Sequence, residues 1–226
     1  MTAPAGYFIT GTDTEIGKTV VTLGLVRWLQ GRGLRVAAMK PVASGCVRTP
    51  QGLRNDDALQ LQQQASMPLG YDEVNPYAFE PPIAPHIAAA QAGEQIELDR
   101  IRRGVQQLAG RADTVCVEGV GGWLVPLNGR KTVADLAVAL GLDVVLVVGM
   151  RLGCLNHALL TVRAIEASGA RLAGWVANCL PPAPDRLEEN INTLKTMISA
   201  PLLAVSPVQP TPRAGAVSIH FELPEG

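Results

Sequence analysis

A glycine-rich segment that ends in Gly-Lys-Thr follows the first aliphatic run of the sequence. This segment, residues 11–19, reads Gly-Thr-Asp-Thr-Glu-Ile-Gly-Lys-Thr and precedes an amphipathic run. A glycine-rich turn at the start of a helix directs backbone N–H groups at an anion, and the helix dipole adds partial positive charge there. From this position Lys18 can reach the β- and γ-phosphates of a nucleotide, and the Thr19 hydroxyl can ligate Mg²⁺. The segment predicts a P-loop, although five residues separate Gly11 from Gly17 where the usual pattern has four.

Two acidic residues are candidates for the metal that accompanies a nucleotide. Glu118 ends an aliphatic run and precedes Gly-Val-Gly-Gly, and an acid at the carboxyl end of a strand near a P-loop suits a Mg²⁺ ligand. Thr19, Asp57 and Glu118 would satisfy Mg²⁺ together with phosphate and water, because this ion keeps several waters. The alternatives are an exposed glutamate before a turn and an ordinary strand-to-helix turn at residues 11–19. The Gly-Lys-Thr ending and its strand–loop–helix context favour nucleotide binding.

A second lysine, Lys40, follows the next aliphatic run. Like Lys18, it is expected at the crevice outside the carboxyl edge of a parallel sheet. Phosphoryl transfer depends mainly on cations placed where negative charge develops, so a second lysine at this edge suits that chemistry. A solvated lysine at the end of a strand is the alternative.

The elements that must position these residues follow an alternating pattern. Short aliphatic runs predict strands at residues 7–10, 35–39, 114–118, 144–149, 172–178 and 202–205. Helical periodicity predicts helices at residues 18–30 and at roughly 56–65, 97–109, 133–140, 155–168 and 185–198. This order predicts an α/β fold with a doubly wound, mostly parallel sheet and helices on both faces, of the P-loop nucleotide hydrolase type.

We expect residues 1–226 to form a single domain. The polar, proline-containing stretch at residues 43–85 interrupts the alternation, and a long insertion between strands is usually functional. Residues 206–226 are predicted to form an irregular C-terminal tail, in which residues 217–223 are a candidate edge strand.

The composition restricts the remaining classes of function. Lysine and arginine number 19 against 20 aspartates and glutamates, so the net charge of -1 gives no electrostatic footprint for nucleic acid or an anionic membrane. The four cysteines lack the spacing of metal ligands, and the N-terminus lacks the pattern of a signal peptide. The strongest apolar run, residues 144–150, is far shorter than the roughly 20 residues of a membrane-spanning helix. We therefore expect a cytoplasmic protein that binds neither nucleic acid nor membrane.

Several motifs in order along the chain carry a resemblance to a known family. They are residues 11–19, Lys-Pro-Val-Ala-Ser-Gly at 40–45, Gly-Leu-Arg-Asn-Asp-Asp-Ala at 52–58, Asn-Pro-Tyr at 75–77, Pro-His at 85–86, Glu-Gly-Val-Gly-Gly-Trp at 118–123, Leu-Gly-Cys-Leu-Asn-His at 152–157 and Gly-Trp-Val-Ala-Asn at 174–178. Together they resemble the dethiobiotin synthetase family over roughly residues 6–205. The P-loop of that family also has five residues between the two glycines, as between Gly11 and Gly17 here.

The resemblance implies an ATP- and Mg²⁺-dependent ring closure in biotin biosynthesis. In this reaction 7,8-diaminononanoate takes up CO₂ as a carbamate, which ATP phosphorylates. The second amine then attacks to close a cyclic urea, and ADP and phosphate are released. The family works as a homodimer with active sites at the subunit interface.

The resemblance also assigns roles residue by residue. The catalytic group implied is Lys40, Lys18, Thr14 and Glu15. The nucleotide and its metal would be bound by Glu15, Ile16, Gly17, Lys18, Thr19, Val20, Asp57, Glu118, Gly119, Val120, Gly121, Asn178, Cys179, Pro207, Val208 and Gln209, with Asn178 contacting adenine. The substrate would be bound by Ser44, Gly153, Cys154, Leu155 and Asn156, and Mg²⁺ by Thr19, Asp57 and Glu118.

Three other functions share the P-loop. A partner-regulated switch ATPase is the main alternative, but such proteins carry a second lysine early in the loop, where this chain has Thr12, Asp13 and Thr14. A glutamine-dependent amide ligase would need a further domain, for which 226 residues leave no room. A nucleotide sensor without enzymatic activity is the third alternative. A requirement of ATP turnover for both a diamine and bicarbonate would separate the synthetase from all three.

Overall fold

The computed structural model of this chain describes residues 5–182, 184–208, 219, 221 and 222. In this part of the chain, strands and helices alternate along the central sheet as the sequence predicts. Their order is β1 (Gly6–Gly11), α1 (Lys18–Gly31), β2 (Val36–Met39), β3 (Val42–Ala43), β4 (Val47–Thr49), β5 (Gly52–Arg54), α2 (Asp56–Gln64), α3 (Tyr71–Val74), β6 (Tyr77–Ala78), α4 (Pro85–Gln91), α5 (Leu98–Ala109), β7 (Thr114–Glu118), α6 (Val133–Leu140), β8 (Asp143–Met150), α7 (Cys154–Ala167), β9 (Leu172–Cys179), α8 (Leu187–Met197) and β10 (Leu202–Ser206).

Six parallel strands form the central sheet, in the order β10-β9-β8-β1-β7-β2. Strand β1 lies between β7 and β8, with Gly6 opposite Val115 and Tyr7 opposite Asp143. Strands β7 and β8 are buried along almost their whole length, which requires cover on both faces of the sheet. The doubly wound α/β fold is therefore confirmed. Because all six strands run in one direction, their carboxyl ends meet at one edge.

The insertion at residues 43–85 contains more regular structure than the sequence indicates. Strands β3 and β6 pair in parallel, and β4 and β5 form an antiparallel hairpin. Helix α2 begins after Asn55, whose side-chain oxygen accepts from the N–H of Ala58 at 3.2 Å. This N-cap fixes the first turn of α2, which carries Asp57.

Part of the predicted C-terminal tail packs on the sheet and on helix α1. Ser206, which the sequence analysis assigned to the tail, is the last residue of β10. Ile219 and Phe221 are buried, and the N–H of Glu222 donates to the Leu203 carbonyl at 2.8 Å. The other residues of the candidate edge strand, 217–223, lie outside the described residues.

The surface of helix α1 accommodates this segment. A Cβ at Gly24 would lie 2.9 Å from Cδ1 of Ile219, so a side chain there would require Ile219 to shift. The rings of Trp28 and Phe221 lie 6.1 Å apart. None of the helices in the described ranges is long and apolar enough to cross a membrane.

Candidate active site

The candidate catalytic and binding residues lie where successive strands end at the carboxyl edge of the sheet. Strand β1 leads into the P-loop, and β2 leads into Lys40. Strand β7 ends at Glu118, and Asn178 is the next-to-last residue of β9. The parallel topology therefore brings to one edge residues that lie far apart in the sequence.

A buried cation lies between two carboxylates in this cluster. The ammonium Nζ of Lys40 lies 2.6 Å from Oε1 of Glu118 and 3.0 Å from Oδ2 of Asp57. Oγ1 of Thr19 donates to the same Oε1 of Glu118 at 2.8 Å. The structure thus brings together the three residues predicted to bind Mg²⁺ and adds the predicted catalytic lysine to them.

The environment of Lys40 favours its charged form. Burial of the side chain acts to lower its pKa, but the negative charges and hydrogen bonds of Glu118 and Asp57 outweigh burial and raise it. Lys40 is 6% exposed and Glu118 is fully buried. Within the described part of the chain, the second carboxylate oxygen of Glu118, Oε2, has no hydrogen-bond partner. Oε2 of Glu118 is therefore a buried acceptor that is available to a ligand beside the Lys40 ammonium.

The P-loop leads into helix α1 through a left-handed glycine. Gly17 has φ 83° and is the N-cap of α1. Nδ2 of Asn178 donates to the carbonyl of Ile16 at 2.7 Å, which ties the loop to strand β9. Among the described residues, the backbone N–H groups of residues 17–20 make no hydrogen bond. These groups lie at the positive end of the helix dipole and form a cradle for an anion such as phosphate.

Lys18 is held inside this loop. Its Nζ donates to the carbonyl of Asp13 at 2.8 Å, and only 7% of the residue is exposed. Burial lowers the pKa of Lys18 to about 8, an effect that nearby Glu118 opposes and Lys40 reinforces. A phosphate bound at the loop would supply the negative charge that a buried ammonium lacks.

An ion pair links the P-loop to the start of helix α7. Asp13 accepts from the guanidinium of Arg151, which directly follows β8. The N–H of Cys154, a residue predicted to bind the substrate, donates to the carbonyl of Arg151 at 3.0 Å. Leu155 and Asn156, by contrast, use their N–H groups in no hydrogen bond within the described ranges. Gly153 has φ 92° as the N-cap, and Cys154 is buried.

Three further predicted residues are Thr14, Glu15 and Ser44. Oγ1 of Thr14 would lie 3.6 Å from a Cβ at Gly121, so the P-loop approaches the turn after β7. Glu15 is exposed and has φ 57°. Oγ of Ser44 is buried and has no partner among the described residues.

The predicted nucleotide residues outside the loop differ in their surroundings. The N–H of Gly119 donates to the Ile9 carbonyl at 2.8 Å, and Cys179 is buried at the end of β9. The partly exposed ones are Val20 and Val120, and the exposed ones are Pro207 and Val208. Gln209 lies outside the described residues.

Two kinds of residue at the site were missed by the sequence analysis. Asp13 and Arg151 form their ion pair across 138 positions of sequence, and no local signal predicts it. Tyr71 and Asn75 hydrogen-bond to the main chain next to the cluster; the Asn-Pro-Tyr motif at residues 75–77 was noted, but it suggested no role.

Comparison with known proteins identifies the family. A family model described as an AAA domain matches residues 5–214. The chain is 54% identical over 218 residues to the ATP-dependent dethiobiotin synthetase BioD of Pseudomonas paraeruginosa, covering 96% of each chain. It is 51% identical over 201 residues to BioD 1 of Escherichia coli O157:H7, covering 89% of each. The chain belongs to the ATP-dependent dethiobiotin synthetase family.

Membership in the dethiobiotin synthetase family makes this chain an ATP-dependent ligase, and the switch ATPase is not favoured. The septum site-determining protein MinD of Pyrococcus horikoshii, complexed with Mg-ADP, matches with a TM-score of 0.54 over 92% of this chain and 83% of that one. Because the two are only 18% identical, this likeness shows the shared fold alone.

Proposed function

We propose that this chain closes the ring of dethiobiotin from 7,8-diaminononanoate, CO₂ and ATP, and releases ADP and phosphate. The observation that carries the proposal is the buried ammonium of Lys40 beside Glu118 and the phosphate cradle. The reaction passes through a carbamate and a phosphorylated carbamate, both of which carry negative charge on oxygen. A water-excluded cation at this position stabilises such charge far more than it would in bulk water.

The two lysines have separate tasks in this proposal. Lys18, with the N–H groups at the start of α1, binds and orients the β- and γ-phosphates. Lys40 holds an oxygen of the carbamate close to the γ-phosphate, so that the reacting groups meet in a productive geometry. Thr14 and Glu15 complete the loop on the solvent side of Lys18.

Asn178 is proposed to contact the adenine base. Its Nδ2 is occupied by the Ile16 carbonyl, while Oδ1 has no partner in the described part of the chain. A free carbonyl oxygen accepts from an amino group, which adenine has and guanine lacks at the corresponding ring position. Pro207 and Val208 are exposed and follow the neighbouring strand, β10, and they are proposed to flank the base together with Gln209.

The oxygen donors at the cluster fit a Mg²⁺ ion. Asp57 and Glu118 converge closely enough for one ammonium to contact both, and Oε2 of Glu118 is a buried acceptor without a partner among the described residues. Hydroxyl and carboxylate oxygens are the ligands that Mg²⁺ prefers, and we propose Thr19, Asp57 and Glu118 to hold it. When bound, Mg²⁺ neutralises phosphate charge and orients the phosphate oxygens. No set of three or more His, Cys, Asp or Glu side chains suited to a metal occurs in the residues that the structure describes.

We further propose a cytoplasmic homodimer in which each site uses both subunits. The loop before α7 is exposed, with Leu152 fully so, and the N–H groups of Leu155 and Asn156 point to an anion site at the start of the helix. The substrate has a carboxylate at the end opposite its amines, and that carboxylate would bind the loop of the partner subunit. Ser44, with its buried Oγ, is proposed to contact the amine end.

A mixing experiment tests the shared site. One inactive variant is Lys40→Gln and the other is Asn156→Glu, which places a negative charge at an exposed position where it repels a carboxylate. In heterodimers with shared sites, one site carries both changes and the other carries neither, so activity returns to a measurable fraction of wild type. Verified heterodimers that stay inactive would show that each site is contained in one chain.

The reaction itself is tested with labelled bicarbonate. The chain is incubated with 7,8-diaminononanoate, Mg-ATP and ¹³C-bicarbonate, and the product is analysed by mass spectrometry and NMR. Incorporation of one label into a cyclic urea, with release of ADP only when both diamine and bicarbonate are present, is the expected result. ATP hydrolysis that is indifferent to the diamine would contradict the proposed function.

A further inference from the structure

A short helix next to the site makes contacts that the proposed chemistry does not use. Helix α3 and the residue that follows it, Asn75, lie in the insertion after β2. Tyr71 and Asn75 are 9% and 2% exposed, and both contribute polar side-chain atoms to the protein interior. Buried polar groups of this kind are retained at a desolvation cost, so their hydrogen-bond partners indicate what they do.

The two side chains form a continuous hydrogen-bonded link. The hydroxyl of Tyr71 accepts from the N–H of Asn55 at 2.8 Å and donates to Oδ1 of Asn75 at 2.9 Å. Nδ2 of Asn75 donates to the carbonyl of Lys40 at 2.7 Å and to that of Tyr77 at 3.2 Å. At one end of the link is the main chain of Lys40, and at the other is the N-cap of the helix that carries Asp57.

The surroundings fix the orientation of this link. Carbonyl oxygens only accept, so the two carbonyls that face Asn75 require its Nδ2, and Oδ1 must then face the hydroxyl of Tyr71. Helix α3 is itself held: Oε2 of Glu73 accepts from the N–H of Gly70 at 2.6 Å, and its Oε1 accepts from Arg111 at 2.5 Å. All the hydrogen-bonding groups in the link are satisfied by protein, which makes it a rigid connection.

We propose that Tyr71 and Asn75 are positioning residues that hold the main chain of Lys40 at a fixed distance from the helix that carries Asp57. This inference rests on the proposed function, in which the Lys40 ammonium binds the carbamate. When the ammonium turns towards substrate, its 3.0 Å ion pair with Asp57 is weakened or lost. The link through Tyr71 and Asn75 does not involve the ammonium, so it persists through that change. Displacements of about 1 Å in reacting groups can reduce rates by 10²-fold, which gives the link its importance.

The chain supplies a matched control for the test. Tyr71→Phe removes the hydroxyl at the centre of the link. The hydroxyl of Tyr77 also accepts one backbone N–H, that of Glu97 at 2.9 Å, but it does not contact Lys40 or α2. The two rings are also alike, because an arginine guanidinium lies 4.1 Å from the ring of Tyr71 and 4.6 Å from that of Tyr77. Tyr77→Phe therefore reproduces the loss of a buried hydroxyl without breaking the link.

The expected result is a split between kcat and KM. Tyr71→Phe lowers kcat at least tenfold while KM for ATP stays within about threefold, because the phosphate cradle is not altered. Tyr77→Phe keeps kcat within twofold, although both variants lose comparable thermal stability. Asn75→Asp retains the acceptor for Tyr71 but replaces the donor to the Lys40 carbonyl with a carboxylate oxygen, so it should lower kcat more than Tyr71→Phe does.

A crystal structure of each variant gives a measurement that needs no turnover. In Tyr71→Phe the distance between the main chains of Lys40 and Asp57 should change by about 1 Å from the wild-type value, while in Tyr77→Phe it should stay as in the wild type. An unchanged distance in Tyr71→Phe, or a kcat equal to that of Tyr77→Phe, would overturn the inference. A wild-type chain that fails to close the ring would contradict the proposed function alone, because the distance still tests the link.

Discussion

Gly17 joins the P-loop to helix α1, and substituting it tests how the loop is held. Two effects should make Gly17→Ala less stable than the wild type. The φ of 83° is left-handed, which costs about 1–2 kcal/mol for an L-residue. The new Cβ would also lie 2.2 Å from Nδ2 of Asn178, whereas ordinary contacts begin at 3.4 Å. Since the amide of Asn178 must move away, its hydrogen bond to the Ile16 carbonyl is lost, and leaving these buried groups without a partner costs about 1–3 kcal/mol.

The chain offers a control for the first effect alone. Gly33 has the same φ, 83°, but a Cβ there would meet nothing within 4 Å. Gly33→Ala should therefore lower the free energy of unfolding by about 1–2 kcal/mol. Gly17→Ala should lower it by about 2–5 kcal/mol in total, because the cost of the lost hydrogen bond is added to that of the backbone.

Urea unfolding and calorimetric titration with Mg-ATP measure the two consequences separately. We expect Gly17→Ala to weaken ATP binding at least tenfold, which corresponds to about 1.4 kcal/mol. The reason is that the P-loop loses the hydrogen bond between the Ile16 carbonyl and Asn178 of β9, which holds the N–H groups of the cradle in place. Gly33→Ala should bind ATP like the wild type. If both variants lose the same stability and Gly17→Ala binds ATP like the wild type, Asn178 does not hold the P-loop in place.

Four further substitutions address the charged groups. Lys18→Ala should lower ATP-dependent turnover by about 10²–10³-fold in a folded protein, as judged by steady-state kinetics and circular dichroism; turnover like that of the wild type would contradict the P-loop assignment. Lys40→Gln should retain Mg-ATP binding but abolish ring closure, and it should lose about 3–5 kcal/mol of stability because Glu118 is left buried without its cation. The double variant with Glu118→Gln should regain stability and not activity, and a double variant as unstable as the single one would show that the ion pair does not matter to folding. Asp57→Asn and Glu118→Gln should each raise the Mg²⁺ concentration needed for half-maximal activity, and unchanged titrations in both would exclude the two carboxylates as ligands.

The central sheet was predictable because its strands are rich in apolar residues. Strand β7 was predicted to its end residues, and helix α7 within one residue at each end. A buried parallel strand is recognised by its continuous apolar composition, and an amphipathic helix by its period. The two-residue strand β3 and the four-residue helix α3 are too short to show any period. They form because distant groups fix them, as when the N–H of Lys40 donates to the Val74 carbonyl at 2.9 Å.

The members of the site were predictable, but their contacts were not. A lysine after a strand and an acid after another suggest chemistry by type, yet Lys40 and Glu118 are 78 residues apart and nothing local predicts a 2.6 Å ion pair. The roles of Tyr71 and Asn75 were not predicted for a different reason. Tyrosine and asparagine are ordinary in an insertion, and their contribution is visible only once the main chain of Lys40 is placed beside them.

The central position of strand β1 has a consequence for how the chain is made. Its lateral neighbours are β7 and β8, so Gly6 pairs with Val115 and Tyr7 with Asp143. On the ribosome the first strand therefore emerges long before either neighbour has been synthesised. At roughly 5–20 residues per second, this interval lasts about 5–20 s. During that time an apolar strand with unpaired backbone groups is exposed to other nascent chains. The phosphate cradle can take its final shape only after Glu118, 99 residues beyond Thr19, has been translated.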